Sequence, residues 1–160
     1  MATALEYESF LDAFAAMGRT ESARLVDVLE RLDDGQCDSV ALVFSTQALI
    51  LKANGDNDTI VVATVPANEP LSGFRPSLDP TWARLRGKEF GWGWVTVNQQ
   101  GYCDGVLLSF ETLEPCVLIN VIASSLKTQP IGTGAGRPEG TLRDTIPAES
   151  SQQPKPSVRR

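Results

Sequence analysis

Two carboxylates stand at matching places in this chain, and any chemistry would be sought there first. Asp38 follows Cys37 and Asp104 follows Cys103, inside two stretches, Gly35 to Thr46 and Gly101 to Thr112, that share seven of twelve residues at an offset of 66. Carboxylates brought together in this way share a proton or bind a cation. Aspartate beside a hairpin turn more ordinarily accepts backbone hydrogen bonds at the surface, and that structural role is expected here. The chain has no histidine. This removes Ser-His-Asp and Cys-His catalysis, histidine-ligated zinc and the commonest general base near neutral pH. No catalytic residue, metal ligand or cofactor is expected.

Other segments imitate sites without completing them. Asn54 with Asp56, Asn57 and Asp58 has the look of a calcium loop but lacks its glycine and its closing glutamate, and reads as a solvated turn. Gly132, Gly134 and Gly136 imitate a phosphate loop with no helix behind them, and read as linker. Cys37, Cys103 and Cys116 form an odd set without CxxC spacing, which suits reduced, packed thiols in the cytoplasm. Asp38 and Asp104 beside two of them oppose thiolate formation.

Charge narrows the partners. Residues 1–126 hold eight basic and seventeen acidic residues, and residues 127–160 hold six and three. A body of this sign repels nucleic acid, whose binders bring clusters of Lys and Arg. Glu6 and Glu8 occupy the stretch where a signal peptide is positive, and nowhere do about eighteen apolar residues run together. No nucleic acid and no membrane partner are expected, and the cytoplasm is the expected compartment.

The least ordinary local sequence is Phe90-Gly91-Trp92-Gly93-Trp94, followed by Asn98-Gln99-Gln100-Gly101-Tyr102. Regular strand alternation puts Phe90, Trp92 and Trp94 on one face and leaves the glycine face bare of side chains. The tryptophans then serve either as core or as anchors for a partner, since aromatic residues are favoured at interfaces and bare backbone invites strand addition. The expected partner-contacting residues are Trp92, Trp94, Asn98, Gln100 and Tyr102, with Trp82 and Arg84 from the connection between the halves.

The elements that position these residues follow from spacing. Thr3 and Glu6 form a capping-box pattern, and Leu5, Phe10, Leu11, Phe14 and Met17 recur near helical spacing up to Gly18, which predicts one amphipathic helix. Residues 24–32 fit a helix or a strand. The offset of 66 sets Val26 and Val28 on Trp92 and Trp94, in a run of aromatic and β-branched residues, and so predicts strand. Each half then reads as strand, turn, strand, with turns at Asp33-Asp34-Gly35 and at Asn98 to Gly101. Further strands are expected at Ala48 to Ala53, Thr59 to Val65 and Cys116 to Ala123. Asp79 as N-cap and Pro80 at the first helical position predict a short helix in the connection. From Lys127 onward no aromatic residue occurs, and the composition predicts a flexible tail.

The tryptophan strand, the run Asn98 to Asp104 and the alternating Val106, Leu108 and Phe110 resemble a pattern in small bacterial proteins of an uncharacterised domain-of-unknown-function family. Asn57-Asp58-Thr59-Ile60 resembles the family's Asp-Asp-Thr-Ile-like segment. The resemblance covers residues 24 to about 122, leaves out the helix and the tail, and implies a small bacterial α+β domain with no stated mechanism.

The expected fold is α+β: a mostly antiparallel sheet of two duplicated β-hairpin units with an N-terminal helix (residues 1–126), then a disordered basic tail (residues 127–160). The expected function is a non-enzymatic protein-binding module, an adaptor, inhibitor or assembly factor (chaperone) of a larger cytoplasmic complex. Two other classes fit the same residues. One is an acidic immunity protein whose charge complements a basic toxin. The other is a small-ligand-binding domain or histidine-free enzyme using Asp38, Asp104 and Asn98.

Overall fold

The computed structural model describes residues 9–19 and 23–132. The capping pattern at Thr3 and Glu6, and the expected tail beyond Gly132, lie outside these residues. In chain order the elements are α1 (Phe10–Gly18), β1 (Leu25–Asp33), β2 (Gln36–Phe44), β3 (Gln47–Asn54), β4 (Thr59–Pro66), β5 (Arg75–Pro76), α2 (Pro80–Ala83), β6 (Phe90–Val97), β7 (Cys103–Phe110), β8 (Val117–Ile122) and β9 (Ser125–Pro130). Residues 24–32 resolve to strand because Leu25 and Val28 are needed inside while Leu29 and Arg31 pair outward with Ala41 and Ser39 of β2. The described helix α1 runs from Phe10. Ser9 caps it by accepting from the Asp12 N–H at 3.2 Å, and its buried stripe is Ala13, Phe14 and Met17. In α2, Asp79 caps by accepting from Thr81 N–H at 2.8 Å, with Pro80 at the first position as its φ requires.

All strand pairs are antiparallel, but they form two sheets, not the single one expected, in the orders β4-β3-β2-β1-β5 and β6-β7-β8-β9. The physical reason is burial. Each sheet has one strongly apolar face, and a single open sheet leaves that face wet, whereas two sheets laid together bury both. β2 packs against β9 and β4 against β7. Val40, Leu42 and Phe44 of β2 share one core with Val106, Leu108 and Phe110 of β7. At its centre the rings of Phe44 and Phe110 stack at 6.4 Å, and Phe90 meets both edge-on at 5.7 and 6.2 Å. Such pairs contribute about 0.5–1.5 kcal/mol each beyond their buried area.

Register is closely matched between the sheets. In β1–β2, Leu25 pairs with Phe44, Val28 with Leu42, Glu30 with Val40 and Leu32 with Cys37, with shifts at Leu25/Asp27 and Arg31/Leu32. In β6–β7, Phe90 pairs with Phe110, Gly93 with Leu108, Val95 with Val106 and Val97 with Cys103, with shifts at Phe90/Trp92 and Thr96/Val97. The sheets meet at one backbone crossing, where Leu25 N–H donates to Lys88 O and Phe90 N–H to Ala23 O, each at 2.9 Å, around the Arg24–Glu89 ion pair at 2.6 Å.

Two expectations change here. The shift at Phe90/Trp92 is a bulge at Gly91, so Phe90 does not share a face with Trp92 and Trp94: it points into the core, and the tryptophans point out. Residues 127–130, expected to open the tail, instead complete β9, with Leu118 paired to Gln129 and Ile119 to Thr128. Alternation with little apolar content suffices there because β8 supplies the ladder.

The bare face of β6 is where α1 docks. A Cβ built on Gly93 would lie 2.6 Å from the Phe14 ring. Gly93→Ala is therefore expected to cost about 1–3 kcal/mol in urea unfolding through overpacking. The cost should shrink in a Phe14→Leu background, since the two sites share one contact; equal costs in both backgrounds would show that the ring does not set it.

Candidate functional site

The expected site residues fall into three groups. Trp82 is in the core, 1 % exposed, which removes it from the surface, while Arg84 is exposed at the end of α2. Asn98 is spent on its own turn: its Oδ1 accepts from Gln100 N–H at 2.9 Å and Tyr102 N–H at 3.1 Å. Gln100 is exposed on that turn and Tyr102 is 45 % exposed beside it. Trp92 and Trp94 stand together, half-buried, on the outer face of the second sheet.

The bulge that sends them there is built from side chain and backbone. Ser109, wholly buried, accepts from Trp92 N–H at 2.8 Å and donates to Trp92 O at 3.3 Å. A Cβ at Gly91 would collide with Ser109 Oγ at 2.6 Å and with the Thr112 carbonyl, so only glycine fits between them.

Register completes the face. Trp94 pairs with Leu107, Leu107 with Leu118 and Leu118 with Gln129, so one row crosses all four strands. Trp94, Leu107 and Leu118 are half-buried, and Ile122, beyond half-buried Asn120 on the same face of β8, is 48 % exposed. Sequence reasoning missed Leu107, Leu118 and Ile122. The signal was present, since they are the alternates of the core residues Val106, Leu108, Ile119 and Val121.

The corresponding row of the first sheet runs Leu29, Ala41, Ile50, Ala63, and there Ala41, Ile50 and Ala63 are buried. β4 and β5 lie at opposite edges of that sheet, so residues 67–74 must pass from one edge to the other. Near the end of this strap, Phe74 lies 5.6 Å from the Arg31 guanidinium carbon.

The matched carboxylates belong to different sheets, and each is bound within its own hairpin. Arg31 donates to both oxygens of Asp38, at 3.0 and 2.6 Å, and Thr96 donates to Asp104 at 3.0 Å. Asp58, from the calcium-like turn, accepts from Ser124 N–H at 2.9 Å and so ties the β3–β4 turn to the β8–β9 turn. Among the described residues no group of three His, Cys, Asp or Glu is placed to hold a metal ion. An open cleft of about 390 Å³ at the β3–β4 turn is lined by Lys52, Ala53, Asn54, Gly55, Asp56 and Val61. Among the described residues no helix is long and apolar enough to cross a membrane.

Two packed antiparallel sheets, with a short helix before the first strand of each, define the class: a small α+β sandwich. The chain belongs to a family of unknown function, DUF6334, whose family model matches residues 11–134. That range takes in nearly all of α1 and the whole of β9, so the family unit is wider than the 24 to 122 expected. No curated protein and no solved structure matches the chain.

Burial, with Glu30 and then Asp38 adding to it, pushes the Cys37 thiol up from 9.0 to about 11, and burial also raises Cys116. An unfolded Cys37 releases its proton near 9.0, while the folded one holds it to about 11. Its contribution to stability is therefore complete below the lower value and is lost as pH rises through that window. Urea midpoints should fall more steeply over that window in the wild type than in Cys37→Ala, and parallel slopes would count against a buried thiol.

Proposed function

We propose that the protein is a non-enzymatic binding module that takes a segment of a partner protein onto the outer face of its second sheet, as an adaptor, inhibitor or assembly factor of a larger cytoplasmic complex. One observation carries this reading. Two corresponding rows of the two sheets differ in cover: beyond half-buried Leu29, the row of the first sheet is buried at Ala41, Ile50 and Ala63, while Trp94, Leu107 and Leu118 all stand half open. Large aromatic and aliphatic side chains left partly wet on a flat sheet mark recognition surfaces more often than chance, and tryptophan is a favoured anchor.

We also read the two four-stranded meanders as copies of one unit. The hairpins β1–β2 and β6–β7 keep the same partners and the same two register shifts, the first strand displaced by 65 positions and the second by 66. Residues at such spacings also meet in space: Arg24 with Glu89, Phe44 with Phe110 and Asp58 with Ser124. This pattern supports a two-fold relation between halves, in which the open and the covered row are the same place on two copies.

Affinity capture from the cell that expresses the protein tests the reading. Trp94→Ala should lose a partner that the wild type retains, while its melting temperature moves by no more than about 4 °C, because the side chain lies outside the core. Unchanged retention by the variant would remove this face from consideration, and a collapsed melting transition would return Trp94 to the core.

A further inference from the structure

The reading above says where a partner sits; the edges of the sheets bear on how it is held, and this inference rests on that reading. β1 is bonded on both sides. β2 lies on one, and on the other β5 pairs Pro76 with Leu29 and Arg75 with Glu30, while Ser77 N–H donates to Val28 O at 2.9 Å. β6 occupies the corresponding place in the second sheet, yet it has β7 on one side only. Only its first residue is closed off on the far side, where Phe90 N–H reaches Ala23 O.

Alternation assigns the remaining groups. Trp92 N–H points to Ser109 on the β7 side, and Asn98 N–H points to Tyr102 O on that same side. The backbone groups of Gly93, Val95 and Val97 therefore turn to the open edge. No backbone hydrogen bond from the described residues reaches them there. Among the described residues the strand itself carries no guard. Natural proteins protect free edges with charge or proline. β4 ends in Pro66, β5 is Arg75–Pro76, and β9 carries Lys127 and Pro130, but Phe90–Val97 has neither.

We propose that the edge of β6 from Gly93 to Val97 is a strand-addition site for an extended segment of a partner protein, pairing with β6 as β5 pairs with β1 and laying alternate side chains over Trp92 and Trp94. The chemistry of the segment follows from the difference between the two slots. β1 offers Asp27, Leu29 and Arg31 to its outer face, and there the strap lays Phe74 on Arg31. β6 offers Trp92, Trp94 and Thr96 at the same positions. Apolar side chains and the stems and heads of Lys or Arg suit indole faces. The excess of nine acidic over basic residues in positions 1–126 favours a basic partner. The segment is one in which apolar and basic residues alternate.

A phage-displayed library of random peptides, panned against the full chain, supplies the probe. Selected peptides should alternate apolar with Lys or Arg, and a bound peptide should slow amide exchange at Gly93, Val95 and Val97. Val97→Pro removes a donor from the open edge at an exposed position, and N-methylation of alternate peptide residues breaks the same ladder without touching the fold. Each should weaken binding about tenfold or more. Binding that spares those three amides and ignores both changes, yet falls with Trp94→Ala, overturns strand addition and leaves the face reading standing. Failure to enrich any peptide sinks both. If the three amides are already protected in the free protein, the partner segment is also excluded. Protection that grows with concentration would then mean that a second copy fills the edge, and protection independent of concentration that the chain fills its own.

Discussion

A single inserted residue decides what each side of the second sheet is for. Gly91 adds one position to β6 opposite β7, and every side chain after it changes face. Phe90 is thereby sent inward to the Phe14, Phe44 and Phe110 rings, while Trp92 and Trp94 go outward. Without the insertion, either Phe90 leaves the aromatic core or both tryptophans crowd into the space that Gly93 leaves for Phe14. The Ser109 hydroxyl fills the gap at the bulge and both accepts from and donates to the Trp92 backbone. The packing of α1, the aromatic centre and the half-buried outward indoles all depend on that one arrangement.

Much of the fold was legible in the chain, and the parts that were not share a cause. Both hairpins, their turns and the Asp79-Pro80 helix start were readable because the determinants are local: alternation, positive φ at Gly35 and Gly101, and an N-cap before proline. Residues 24–32 are strand as the matched runs suggested, but the offset of 66 fails there: β1 and β6 correspond at 65, which sets Asp27 and Leu29, not Val26 and Val28, in the places of Trp92 and Trp94. What escaped was set across strands. The bulge at Gly91 is invisible in β6 by itself, because Phe-Gly-Trp-Gly-Trp alternates without a fault; only the register against Ser109 exposes it. The same holds for β9. Lys127 to Pro130 have no apolar pattern of their own and become strand because β8 offers a ladder and β2 packs beside them.

The candidate face was legible in kind but not in membership. Trp92 and Trp94 were found by type, and Leu107, Leu118 and Ile122 escaped because they look like ordinary strand residues until the parity of the core is known. Asn98 and Trp82 show the opposite error. A polar residue on a turn and an aromatic residue in a connection both look available, yet the first is committed to two backbone donors and the second is enclosed. Asp38 and Asp104 belong with them. Their matched positions suggested a shared site, but each is held within its own hairpin, by Arg31 and by Thr96.

The unequal treatment of two matched sheets is the feature most in need of a cause. Sequence repetition predicts equal treatment, because the same pairing leaves the same row of positions facing out on each side. The first sheet carries Ala41 and Ala63 around Ile50 beyond half-buried Leu29, and its β1 edge is met by β5 as an added strand. The second places Trp94, Leu107 and Leu118 on that row, side chains too large to be hidden by sheet neighbours alone, and leaves β6 without an added strand. If stability were the only constraint, small or polar residues there would serve as well as they do in the first sheet, without the solvation cost of wet indoles. Among the described residues, the large apolar side chains of the second sheet lie beside an edge strand that carries neither charge nor proline, and that conjunction is what the proposed binding role would explain.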